Sequence, residues 1–116
     1  MDEKINQAFE TANYMATISN QRRIILEEYK QGTIYYKNGG TFVVTPELIN
    51  FAKTLVDLGH TEDVPFLDSN NLPVLIEDIA GFLDELMSVY FEAVNAYHQK
   101  YTEMRSKRRI SQIMDL

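Results

Sequence analysis

The sequence predicts an α+β fold, mostly α, with long N- and C-terminal helices packed antiparallel, a central short helix and two β-hairpins, the hairpins lying at one end. Three observations carry that prediction. Apolar residues recur at three- and four-residue steps toward both ends of the chain. Asn38-Gly39 stands between two runs of β-branched and aromatic residues, and Thr45-Pro46 and Gly59 bracket one further helical pattern. A length of 116 residues suits one core, and the reading is a single domain over 1–109 followed by an apolar tail over 110–116.

The first element covers residues 2 to 30, where Ile5, Phe9, Ala12, Met15 and Ile18 recur at helical spacing. Ser19 or Asn20 either caps a second helix carrying Ile24, Ile25, Leu26 and Tyr29 or marks a seam in a continuous one. Gly32 is placed to stop it. In "TIYYKNGGTFVV" the two-residue turn needs positive φ at both central positions, which Asn tolerates and Gly takes freely, and Gly40 is read as a site for a bulge.

"TPELINFAKTLVDLG" carries labels at both ends. Thr45 can accept from free amides, Pro46 sits where its missing N–H costs nothing, Glu47 meets the positive dipole end, and Gly59 closes the helix. Leu48, Ile49, Ala52, Leu55 and Val56 form its inner face. "VPFLDSNNLPVLI" reads as a second hairpin around Asp68 to Asn71, with Pro73 at a strand start or edge.

The closing helix is expected to begin near Glu77 or Asp78. Its stripe is Ile79, Leu83, Leu86, Tyr90, Val94, Tyr97, Tyr101 and Met104. Residues 78 to 108 would span about 45 Å, against roughly 35 Å across a compact chain of this length. The helix outruns the globule, so the first helix or another subunit must cover its apolar side. Leu83, Leu86, Tyr90, Val94, Tyr97 and Tyr101 are therefore the expected self-association residues.

Charge is uneven. Between Glu47 and Glu92 ten acids face one base, Lys53, whereas Lys100, Arg105, Lys107, Arg108 and Arg109 face only Glu103. Either these are solvated faces or they dock by charge complementarity. The basic cluster is also the candidate nucleic-acid contact, although the acidic middle would repel the same polymer and a cationic C-terminal end suits the helix dipole. Beyond it, Ile110, Ile113, Met114 and Leu116 make an apolar scrap. It either docks in a partner's groove or folds back on the core or a sister subunit.

Catalytic, cofactor and metal residues are not expected. The absence of Cys removes thiol chemistry and fits a reducing interior, and His60 and His98 have no second ligand at a recognisable spacing. "DSNNLPVLIED" fails as a calcium loop, because Leu72 takes a donor position and Pro73 the glycine position. Asp57/Asp63 and Asp84/Glu85 read as solvated acids rather than acid–base pairs. No apolar run approaches the length of a membrane span, and the start "MDEKINQAFE" lacks a signal-peptide pattern.

Over roughly residues 25 to 110, the order of a glycine-tipped hairpin, a Pro-started helix, a "D-x-N-x-x-P-V" turn and a Tyr-rich helix ending basic resembles small proteins of T4-like bacteriophages, especially those of marine cyanobacteria. The resemblance implies a phage origin, residence in the host cytoplasm or the virion, and no residue-level role. The expected function is a non-enzymatic virion structural or assembly component that self-associates through its long C-terminal helix and binds another phage or host protein. The alternative is a small modulator of a host or phage nucleic-acid machine, using the basic helix end on nucleic acid or the acidic face as a decoy.

Overall fold

In the computed structural model the chain is described over residues 2–114, with side chains over 2–107. The order is helix α1 (Asp2–Gly32), hairpin β1 (Ile34–Lys37) and β2 (Gly40–Val43), helix α2 (Pro46–Asp57), hairpin β3 (Glu62–Leu67) and β4 (Pro73–Asp78), and helix α3 (Ile79–Met114). Two antiparallel two-stranded sheets and long terminal helices bear out the expected fold class. The chain divides into two compact units, Met1–Glu28 with Tyr97–Leu116, and Tyr29–Ala96. The anticipated tail boundary after residue 109 falls inside α3, which continues as helix to Met114. No seam interrupts α1 at Ser19 or Asn20.

The Tyr29–Ala96 unit holds both hairpins, α2 and the main core. Phe42, Val44, Ala52, Phe66, Val74, Ile76, Ile79, Phe82 and Leu86 are buried together. Phe82 lies edge-on to Phe42 at 5.3 Å and to Phe66 at 5.1 Å between ring centroids, arrangements that each add about 0.5–1.5 kcal/mol beyond area burial.

Strand alternation explains which residues enter this core. Phe66, Val74 and Ile76 occupy the inner face of β3–β4, and Phe42 that of β1–β2. Asn38 and Gly39 take φ of 51° and 80°, so the first turn forms as the sequence requires and pairs Lys37 with Gly40. Gly40 stays in register and makes no bulge. A Cβ there would stand 2.5 Å from Val74 Cγ2, so its bare backbone is what lets the two hairpins approach.

Asp68 is buried and fastens the second turn. Its Oδ1 accepts from the backbone N–H of Asn70 and Leu72 at 2.9 Å each, and Oδ2 accepts from Thr41 N–H at 3.2 Å. These amides, Leu72's foremost, hold its pKa below the usual carboxylate value. Ser69 N–H donates to Thr41 O, which fixes the turn against β2.

Thr45 Oγ1 accepts from Leu48 N–H and Pro46 opens α2, as its sequence labels require. Gly59, at φ 84°, ends it, and His60 N–H reaches back to Leu55 O. The closing helix begins at Ile79, later than the sequence suggested, because Glu77 and Asp78 complete β4. Asp78 Oδ1 then caps Gly81 N–H at 3.1 Å, and a Cβ on Gly81 would crowd that carboxylate at 2.6 Å. Gly32 has no positive φ; it ends α1 where a Cβ would press on Ala93.

In the other unit, α1 and α3 run antiparallel. Glu28 pairs with the Lys100 ammonium, and the same groove is lined by Gln21, Ile24 and Ile25 of α1 and by Met104 and Lys107 of α3.

Candidate interaction surface

The two long helices divide their apolar residues unequally. On α1, Tyr14, Ile18 and Ile25 are half-buried, and no residue of the helix is fully buried. Ile5 is 53% exposed, Phe9 65% and Met15 57%. Of the predicted stripe Ile5, Phe9, Ala12, Met15 and Ile18, only Ile18 is partly covered, because a turn of 100° per residue carries Ile5, Phe9 and Ala12 around to the side away from Tyr14, Ile18 and Ile25. At the register set by Glu28 and Lys100, the backbone of Met114 falls level with Tyr14, and Ile5 and Phe9 lie past it. The Tyr14 hydroxyl finds no hydrogen-bond partner among the described residues.

The expected self-association stripe on α3 splits. Leu86 is 0% exposed and belongs to the core of its own chain, so it cannot serve an interface without unfolding that core. Leu83 and Tyr90 are half-buried against the same core. Val94, Tyr97 and Tyr101 are half-exposed, with the Tyr97 and Tyr101 rings stacked at 6.3 Å. Among the described residues, Met87 and Phe91, absent from the expected set, are the large apolar residues that α3 leaves outside, Phe91 at 53%. Their four-residue spacing was readable, but nothing local said which side of the helix the hairpins would take.

Of the basic cluster, Lys100 is engaged by Glu28, while Arg105 and Lys107 are exposed. The side chains of Arg108 and Arg109, and those of Ile110, Ile113, Met114 and Leu116, lie outside the described residues.

One charged cluster escaped sequence reading. Tyr35 on β1 donates its hydroxyl to Glu85 Oε2 on α3 at 2.6 Å, and Lys37 Nζ donates to Glu85 Oε1 at 3.1 Å. Burial and the Glu85 carboxylate push Tyr35 up to about 12, and the Tyr35 hydroxyl, aided by Lys37, holds Glu85 below its usual value. Neither group exchanges a proton near neutral pH, so the cluster works as a clasp between hairpin and helix. The sequence alone reads Glu85 as a solvated acid, which the clasp corrects. Its partners lie about fifty residues earlier, where no local pattern could link them.

Asp57 meets Lys53 at 3.1 Å on an exposed helical turn. Among the described residues no three His, Cys, Asp or Glu side chains gather as metal ligands, and no helix is long and apolar enough to cross a membrane. No protein-family description, curated protein or solved structure matches this chain.

Proposed function

We propose that this chain is a non-enzymatic protein that acts by protein–protein contact and self-associates through its long helices, as a virion structural or assembly component in the phage setting its resemblance implies. One observation supports the reading above others: α1 carries Ile5, Phe9 and Met15 more than half exposed and has no buried residue. A 31-residue helix gains most of its stability in a protein by covering an apolar face, and here a large share of that face meets water. Met87 and Phe91 extend the argument to α3. The clasp at Glu85 locks its protons at neutral pH, which favours binding over acid–base work at that point.

Sedimentation equilibrium over a wide concentration range tests the reading. A mass rising above the monomer with concentration is expected. A strict monomer up to hundreds of micromolar would overturn it.

A further inference from the structure

The exposed side of α1 carries a pattern of its own. Asp2, Ile5, Phe9, Ala12, Ala16 and Arg23 fall on alternating steps of three and four, with Ser19 completing the run, so they share one face, and all are exposed. This face lies away from the Tyr14, Ile18 and Ile25 side. Its apolar content is asymmetric: the large residues Ile5 and Phe9 lie toward the start, and the small ones, Ala12 and Ala16, follow.

We propose that this face pairs antiparallel with the same face of a second copy about a two-fold axis, Phe9 seating over Ala12 of the other copy and Ile5 over Ala16. The proposal rests on the self-association reading above and names its surface and register. A two-fold contact must be self-complementary, residue i meeting j while j meets i. An antiparallel helix pair that keeps this face inward can shift only in steps of seven residues, which leaves three arrangements with substantial overlap.

Shortening the overlap by one step sets Ile5 against Phe9, large on large. Lengthening it sets Ile5 against Arg23 and buries a cation. The middle register fits large side chains over alanines at both ends and places Ser19 opposite Asp2. Arg23 then lies one helical turn beyond Ser19 and leans back toward Asp2, because helical side chains tilt toward their own N-terminus. The symmetry repeats that charge pair at the other end. A parallel pair would instead oppose Asp2 to Asp2, Arg23 to Arg23 and Phe9 to Phe9.

The overlap runs from residue 2 to residue 19, about 26 Å of helix, and so buries less than the roughly 1,200–2,000 Å² of a standard stable interface. Association in the micromolar range is expected, with Phe9→Asp weakening it at least tenfold. Arg23→Glu should weaken it several-fold, and Asp2→Arg in the same chain should restore it.

The chain has no Cys, so introduced thiols report unambiguously. Full-length Ile5→Cys and Ala16→Cys proteins are mixed and oxidised, with light scattering on the unmodified protein alongside. A disulfide-linked heterodimer, with little product from either variant alone, supports the pairing. Linked homodimers of Ile5→Cys alone would overturn the antiparallel arrangement. An oligomer by light scattering with no crosslink in any mixture would overturn this face and leave self-association standing. A monomer throughout would overturn both. Ile5 and Ala16 are exposed, so loss of fold is not the expected cause of a negative result, and circular dichroism matching the unmodified chain checks it.

Discussion

Leu86 separates a core role from an interface role more sharply than any other residue of the α3 stripe. The sequence alone places it among the self-associating residues, whereas the structure seats it at 0% exposure beside Phe42, Phe66 and Phe82. Leu86→Ala removes three carbons, worth about 2.4 kcal/mol at ~0.8 kcal/mol per buried CH₂. The cavity left among aromatic rings that cannot collapse adds to that, and buried leucines lose about 2.7–5 kcal/mol in such exchanges. With a urea dependence of about 1–3 kcal/mol/M, the unfolding midpoint should fall by about 1 M or more.

Urea melts followed by circular dichroism and tyrosine fluorescence measure this, since the chain has seven Tyr and no Trp. Sedimentation equilibrium on the same variant should give an association constant within twofold of the parent. A stability change under ~1 kcal/mol, combined with loss of association, would refute the assignment of Leu86 to the core.

Other substitutions test the remaining contacts. Gly40→Ala places a methyl 2.5 Å from Val74 Cγ2 and should cost about 1–3 kcal/mol in urea melts, as an overpacked site does. Gly39→Ala meets no neighbour but must hold φ at 80°, so about 1–2 kcal/mol is expected from backbone strain alone. Thr45→Ala removes the α2 cap and should cost about 1 kcal/mol by the same assay.

Asp68 and Glu85 have lowered folded pKa values, so the stability they contribute is present above the ordinary carboxylate range and is lost as pH falls below about 4. Asp68→Asn and Glu85→Gln should flatten that acid limb. Tyr35 is raised to about 12, so its contribution persists up to about pH 10 and is lost as pH rises through the folded value; an ultraviolet titration should show an ionisation near the raised value, and Tyr35→Phe should remove it.

The sequence by itself determined the local elements of this protein. Asn38-Gly39 selects a tight hairpin because positive φ is cheap for those two residues, and Thr45, Pro46 and Gly59 mark both ends of α2 by satisfying or omitting end-group hydrogen bonds. These outcomes depend on neighbours within a few positions, so they are legible in a single chain. Local signals blurred where two elements met without a loop. Asp78 ends β4 and caps α3 at once, and only the pairing of Glu62 with Asp78 shows that the strand extends that far.

The tertiary structure alone decided which apolar residues are hidden. Helical spacing places Leu86 and Tyr97 on one stripe, yet Leu86 is buried in the core beside the hairpins, whereas Tyr97 is half-exposed. The same ambiguity set Ile5 and Phe9 on the uncovered side of α1. The Tyr35–Glu85 clasp and the Gly40–Val74 approach join residues far apart in sequence, and such contacts arise from how elements dock rather than from any property of the segments that carry them. Spacing defines a helix face, but burial is a relation between that face and a surface elsewhere in the molecule.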